Sequence, residues 1–170
     1  MMDYNWYALY TFPRSEKKVL ARLQESEIEV FLPLYRKLRK WKDRKKYVEE
    51  PLISSYIFVK VSEREYYKVL EVEGIVRYVT FSGKAAPIPE KQIDAMKIIV
   101  ESKLPVILTS EKLHPGCKIR VISGVFTGIE AEMVTFRGKK NLIIRIDQVG
   151  QSILVNIPNE AVETIIEEEK

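Results

Sequence analysis

The chain has 170 residues, 46% of them apolar and 31% charged, with a formal net charge of +4. This length fits one large domain or two small ones, and no apolar run approaches the roughly 20 residues that a membrane-spanning helix needs. The single cysteine, Cys117, excludes an internal disulfide, and MMDYNWYALY lacks a basic region ahead of an apolar one, so no secretory signal and a cytoplasmic location are expected.

The charge is unevenly spread. Eight of the 28 cations and one of the 24 anions fall between Arg36 and Lys46, leaving 20 cations against 23 anions elsewhere. One local basic feature points to a directed contact with a polyanion rather than to general coating of nucleic acid.

In chain order, Trp6 to Tyr10 reads as a strand and Thr11-Phe12-Pro13 as a turn. Ser15 is the expected N-cap of a helix reaching about Ser26, with Val19, Leu20 and Leu23 on its inner face. Arg14, Lys17, Lys18 and Arg22 surround its N-terminal turns, where backbone N–H groups also favour anions. Val30 to Leu32 reads as a strand that Pro33 confines to an edge or a bulge. The basic run follows as a hairpin or flexible arm, because no apolar stripe runs through it. It returns into PLISSYIFVKV, whose Tyr56–Val61 portion is apolar on both faces and so needs two covered faces.

Glu65 to Glu71 reads as a short helix ended by Gly74, Ile75 to Phe81 as one strand, and Ser82-Gly83-Lys84 as a turn. Pro87-Ile88-Pro89 leads into a last helix, Glu90 to Ser102, with Ile93, Met96, Ile99 and Val100 as its stripe. Residues 104–113 read as a linker, less polar than most. Beyond them the texture changes to β-branched runs, at Lys118–Ile122, Ala131–Phe136, Leu142–Ile146 and Ile153–Ile157, separated by glycines and turn residues. That spacing predicts a small all-β barrel. Glu167 to Glu169 read as a frayed acidic tail.

His114 and Cys117 do not make a metal site by themselves. No phosphate-binding loop, nucleophile elbow or paired catalytic constellation is recognisable. The expectation is a binding protein without enzymatic activity, metal or cofactor.

Three separated segments resemble one family. WYALYTFPRSEKKV, then PLISSYIFVKV with EGIVRYVTFSGKAAPIP, resemble the N-terminal (NGN) domain of NusG-type transcription elongation factors. PGCKIRVISGVFTGIEAEM resembles a KOW motif. The WKDRKKYVEEPL run is similar to specialised paralogues, the RfaH-like antiterminators of capsule or exopolysaccharide operons. The resemblance implies an α+β fold: an NGN-type α/β sandwich on an antiparallel sheet over 1–103, a linker over 104–113, and an SH3-like KOW barrel over 114–170. One departure stands out. Many relatives have Phe-Pro-Gly-Tyr or Phe-Pro-Asn-Tyr where this chain has Ile53-Ser54-Ser55-Tyr56.

By resemblance, Tyr10, Tyr56, Phe58, Tyr78 and Phe81 would bind the RNA polymerase clamp helices, and Phe58→Ala or Phe81→Ala would weaken that binding in a folded domain. Arg14, Lys17, Lys18 and Arg22 would approach the non-template DNA strand. Arg39, Lys40, Trp41, Arg44 and Lys45 of the basic run would contact nucleic acid or the polymerase, Trp41 by stacking. Phe126, between Gly124 and Gly128, is the expected partner surface of the KOW domain, with ribosomal protein S10 as the implied partner. A monomer is expected, with a constitutive C-terminal barrel. The alternative is a KOW-containing RNA binder of translation. Against it, residues 111–170 carry eight basic and nine acidic side chains, whereas a ribosomal RNA binder should be strongly basic.

Overall fold

The computed structural model describes residues 2–166, which divide into two compact units, one ending at Ile93 and one starting at Asp94. The first unit runs β1 (Asn5–Thr11), α1 (Glu16–Glu25), β2 (Glu29–Phe31), β3 (Leu34–Lys40), β4 (Lys45–Pro51), β5 (Tyr56–Val61), α2 (Glu63–Leu70), β6 (Ile75–Tyr78), β7 (Thr80–Phe81) and β8 (Lys84–Ala85), and then enters α3 (Glu90–Ser102). Its main sheet has the order β2-β5-β1-β6 and is antiparallel throughout. This is an α+β architecture, as the apolar and polar patterning predicts.

Strand β5 lies inside the sheet because, Lys60 apart, its side chains are apolar or aromatic on both faces. Ile57, Val59 and Val61 join Leu9 and Ile75 in one cluster, closed by Val19 and Leu23 of α1 and Val69 of α2. Burying each such side chain is worth about 1.5–3 kcal/mol. The opposite face carries Tyr56, Phe58 and Lys60 of β5 beside Tyr10, Ala8 and Trp6 of β1. At one end of that face Lys60 pairs with Glu90, the first residue of α3, at 2.9 Å.

The helices start as their first turns dictate. Glu65 folds back to accept from the Ser62 N–H at 3.0 Å, a capping box that starts α2 two residues before the predicted Glu65. Ser15 stands at the N-cap of α1 but makes no side-chain cap bond. Instead the buried Glu16 carboxylate accepts from the Ser55 N–H at 2.8 Å, tying α1 to the turn before β5.

The basic run is a hairpin: β3 and β4 pair from Leu34↔Pro51 to Lys40↔Lys45, and the Trp41 N–H closes the tip on Arg44 O at 2.8 Å. The predicted strand Ile75–Phe81 is split. A register shift between Tyr10 and Thr11 distorts the pairing of β1 with β6, and after Tyr78 the chain leaves the main sheet for the small β7–β8 hairpin. Ser82 and Gly83 turn that hairpin with φ of 52° and 79°, the positive angles that a two-residue turn of this hand requires.

The second unit holds β9 (Val106–Thr109), β10 (Cys117–Val121), β11 (Glu130–Phe136), β12 (Lys139–Ile146), β13 (Gln151–Asn156) and β14 (Val162–Thr164). They form one antiparallel sheet in the order β14-β10-β11-β12-β13-β9. Val134, Phe136, Ile143 and Leu154 form a buried cluster in it, with Leu113 against them. The four predicted strands are β10 to β13. The expected linker over 104–113 is not all linker, because Val106–Thr109 pairs with β13. A Val-Ile-Leu-Thr sequence has the strand preference that a true linker lacks. The acidic tail at Glu167 to Glu169 lies outside the described residues.

A clasp closes this unit. Arg145 donates to both carboxylate oxygens of Glu132, at 3.0 and 2.9 Å, and to His114 O at 3.2 Å. The Gly116 N–H donates to the same carboxylate at 2.6 Å. A Cβ at Gly116 would sit 1.8 Å from Met133 O, so only glycine allows this approach. The Arg145 bonds, with help from Gly116 and against partial burial, hold the Glu132 carboxyl below its usual range. A depressed carboxylate contributes stability above its unfolded pKa of roughly 4.3, and the contribution is lost as pH falls through the lower folded value. Glu132→Gln is therefore expected to cost about 1 kcal/mol at pH 7 and close to nothing once the native carboxyl is protonated. Urea unfolding of both proteins at pH 7 and at successively lower pH checks this; a loss that stays constant after the native carboxyl has been protonated would refute it.

Candidate functional site

The register of the main sheet builds a row across three strands. Tyr56 of β5 lies directly opposite Tyr10 of β1, and Tyr10 lies opposite Arg77 of β6. Directly paired residues share a face, so these three project together, away from the cluster that α1 and α2 cover. The Tyr56 hydroxyl donates to the Tyr10 hydroxyl at 2.6 Å, and the two rings tilt against each other with centroids 4.5 Å apart. The Arg77 guanidinium lies over the Tyr10 ring, 5.0 Å from its centroid. Burial, and the bond given to Tyr10, push the Tyr56 phenol well above its ordinary pKa, against the opposing pull of Arg77. Phe31 of β2 stands next to this row, its ring 6.3 Å from that of Phe58. Tyr10, Tyr56 and Phe31 are half-buried and Arg77 is exposed.

The five aromatic residues assigned by resemblance to polymerase binding are therefore not equivalent. Tyr10 and Tyr56 form the row. Phe58 is on the same face but fully buried, so it supports the row rather than offering a surface. Tyr78 is on the other face, where its ring stacks on Tyr66 at 4.0 Å and its hydroxyl donates to Tyr66 O at 2.9 Å. Burial raises the Tyr78 phenol pKa, and Tyr66, Tyr7 and Glu65 add to the effect. Phe81 is 78% exposed on the separate β7–β8 hairpin. Arg77 and Phe31 were not singled out from sequence. The signal for Arg77 is a cation paired across the strand from an aromatic, and it needs the β1–β6 register to be seen.

The turn before Tyr56 carries the departure from the family pattern. Ser55 holds a φ of 66°, where Gly or Asn is at ease and Ser is not. Its N–H is fixed by Glu16 at 2.8 Å, and its carbonyl accepts from the Thr11 N–H at 2.9 Å. Ile53 is buried. The turn thus keeps a left-handed residue without glycine by holding both backbone groups of Ser55.

The cations divide into committed and available. Arg22 donates to Glu73 O at 2.7 Å and pairs with the Glu73 carboxylate at 3.1 Å. Lys17 donates to Glu49 O of β4 at 2.7 Å, joining α1 to the basic hairpin. Arg39 is paired with Glu50. Arg14 and Lys18 are exposed and, among the described residues, have no carboxylate partner; so are Lys40 and Lys45. Arg44 lies over the Trp41 ring at 5.6 Å and Arg36 over Tyr47 at 5.0 Å. Trp41 is exposed at the tip. The hairpin is thus a cationic ribbon with aromatic rings on its surface.

In the second unit Phe126 is only 3% exposed, which corrects its assignment as the partner surface. Gly124 and Gly128, at φ of 85° and 89°, fold the loop back so that the ring turns inward. The Thr127 hydroxyl donates to Gly124 O at 2.6 Å and closes the loop. The apolar side chains it exposes are Val125 and Ile122.

Residues 4–97 match the family model described as transcription termination factor nusG. The chain belongs to the NusG family. That places it among transcription termination and antitermination factors. The transcription termination/antitermination protein NusG of Chlamydia pneumoniae is 22% identical over 157 residues, spanning 84% of this chain and 86% of its own length. NusG of Lactococcus lactis is 22% identical over 175 residues, spanning 96% and 94%. A solved structure concerning domain interaction in Thermotoga maritima NusG is 20% identical and covers 96% of this chain and 98% of its own, with a TM-score of 0.52. At that identity the likeness speaks for the shared fold. Among the described residues no helix is long and apolar enough to cross a membrane.

Two substitutions separate the scaffold of this NusG-family protein from its surface. Phe58→Ala is expected to destabilise the first unit by about 3–5 kcal/mol, because it empties a fully buried position. Denaturant unfolding measures it, and a native-like midpoint would return Phe58 to the surface. Ser55→Gly is expected to stabilise the same unit by about 1 kcal/mol through relief of the left-handed strain; a lower midpoint would show that the Glu16 bond removes that strain.

Proposed function

We propose that this protein is a transcription elongation and antitermination factor that docks on the RNA polymerase clamp helices through Phe31, Tyr56 and Tyr10. The observation that carries the reading is the half-buried aromatic row on the sheet face away from α1 and α2. Half-exposed aromatics beside a buried supporting ring are the usual anchors of a protein interface. Phe81 is exposed on the neighbouring chain segment and is a second contact of the same kind.

The cationic ribbon and the N-terminal end of α1 would track nucleic acid in the same complex, the non-template strand first. Arg14, Lys18, Lys40 and Lys45 are available for phosphate, Trp41 for stacking on a base. Stacking of that kind is worth roughly 1–3 kcal/mol per base. The concentration of charge in one hairpin supports a specialised factor recruited at a particular operon. The second unit would meet a further partner, such as ribosomal protein S10, through Val125 and Ile122 rather than Phe126.

The test is binding of the full chain to a reconstituted elongation complex, with and without an exposed non-template strand, across a salt series. With about four phosphates neutralised on a single strand, log K against log salt is expected to fall with a slope near −3. Binding that needs polymerase and strengthens with particular strand sequences supports the specialised reading. A slope indistinguishable from zero removes the nucleic-acid contact, and absence of binding removes the polymerase reading.

A further inference from the structure

The aromatic row ends in two donors, Tyr10 and Arg77, that have no acceptor among the described residues. The Tyr56 proton is committed to the Tyr10 oxygen at 2.6 Å. A hydroxyl carries one proton, so the proton of Tyr10 must point elsewhere, and among the described residues no acceptor takes it. Arg77 is exposed, lies 5.0 Å over the Tyr10 ring, and has no carboxylate partner among the described residues. Stacking holds a guanidinium plane while leaving its N–H edges available. Beside them lies the ring of Tyr56, its centroid 4.5 Å from that of Tyr10.

We propose that Tyr10 and Arg77 form a two-donor clip for a carboxylate on the protein that docks on this row, an acidic side chain flanked by aliphatic ones. The clip rests on the docking reading above and names the chemistry it selects. A phenol and a guanidinium side by side offer hydrogen bonds to both oxygens of one carboxylate, and the cation supplies the charge. A phenol is protonated across the physiological range, and the burial and hydrogen bonding around Tyr56 push it further the same way, so its bond to Tyr10 persists. A nucleic-acid phosphate is the less suited occupant, because Arg77 is a single cation on an aromatic surface, whereas the clustered cations lie on the basic hairpin. The clip thus works as a selectivity element. Apolar anchors bind many helix faces, and an unpaired Arg rejects those that bring a cation or nothing to this position.

The experiment measures the Kd of the full chain for RNA polymerase free of nucleic acid and, separately, for bare DNA, with thermal melts of each variant to verify folding. Tyr10→Phe and Arg77→Gln are each expected to raise Kd about tenfold, the loss of a charged hydrogen bond. The double variant should fall short of the product of the two, since both act on one group. Tyr56→Phe should change Kd by less than about threefold, because Tyr10 keeps its own proton. Unchanged binding by folded Tyr10→Phe and Arg77→Gln, with tight binding by the unmodified chain, overturns the clip and leaves the docking reading standing. Failure of the unmodified chain to bind overturns both. Equal losses in Tyr10→Phe and Tyr56→Phe overturn the donor assignment, and a loss seen only in binding to bare DNA overturns the carboxylate in favour of phosphate.

Discussion

Strand β5 is the constraint from which the first unit follows. A strand with Ile57, Val59 and Val61 on one face and Phe58 on the other cannot lie at a sheet edge or on a surface, so β1 and β2 must flank it and something must cover each side. Helices α1 and α2 cover one side completely, through Val19, Leu23 and Val69. On the other side Phe58 is buried while Tyr56, one register step toward the end of the sheet, is only half covered. The row of Tyr56, Tyr10 and Arg77 exists because that face is incompletely closed at that end. Its aromatics carry hydroxyls that pair with each other, which lowers the penalty of leaving a large ring at a half-wet surface.

Electrostatics organise the periphery instead of the core. The excess of cations between Arg36 and Lys46 could not be buried, since an unpaired buried charge costs several kcal/mol. The chain resolves this by pairing β3 with β4 and keeping the ribbon in water. A few of the basic side chains are spent inside the unit: Lys17 holds the ribbon to α1, Arg22 holds the segment before Gly74, and Arg39 holds Glu50. Exposed pairs of this type contribute about 0–1 kcal/mol each, so their value lies in orientation more than in stability. Arg14, Lys18, Lys40 and Lys45, which have no carboxylate partner among the described residues, keep their charge available to a partner.

The second unit shows how a short sheet fixes its loops. The Glu132–Arg145 pair collects the backbone of His114 and Gly116, which leads the chain into β10 at a distance only glycine permits. The loop from Gly124 to Gly128 uses two left-handed glycines to turn Phe126 under and leave Val125 outside. An aromatic flanked by glycines looks like a surface residue in sequence because glycine-rich loops are exposed. The same glycines give the loop the curvature to bury the ring.

Local chemistry in the sequence determined the element types, the order strand–helix–strand–arm–strand–helix–strand–helix, the solvated basic run, the change of texture after residue 113 and the family. Periodicity, turn residues and charge density are properties of short segments and need no partner to be read. Only the tertiary structure decided that Val106–Thr109 is a strand, since a tetrapeptide declares itself by its pairing with β13. Only it placed Phe58 and Tyr78 inside, on opposite faces, and Phe126 under its loop, because burial depends on what the rest of the chain brings against a residue. The Tyr56–Tyr10–Arg77 row is the clearest case. Its members lie 46 and 67 positions from Tyr10 in sequence, and the antiparallel register of three strands alone makes them neighbours.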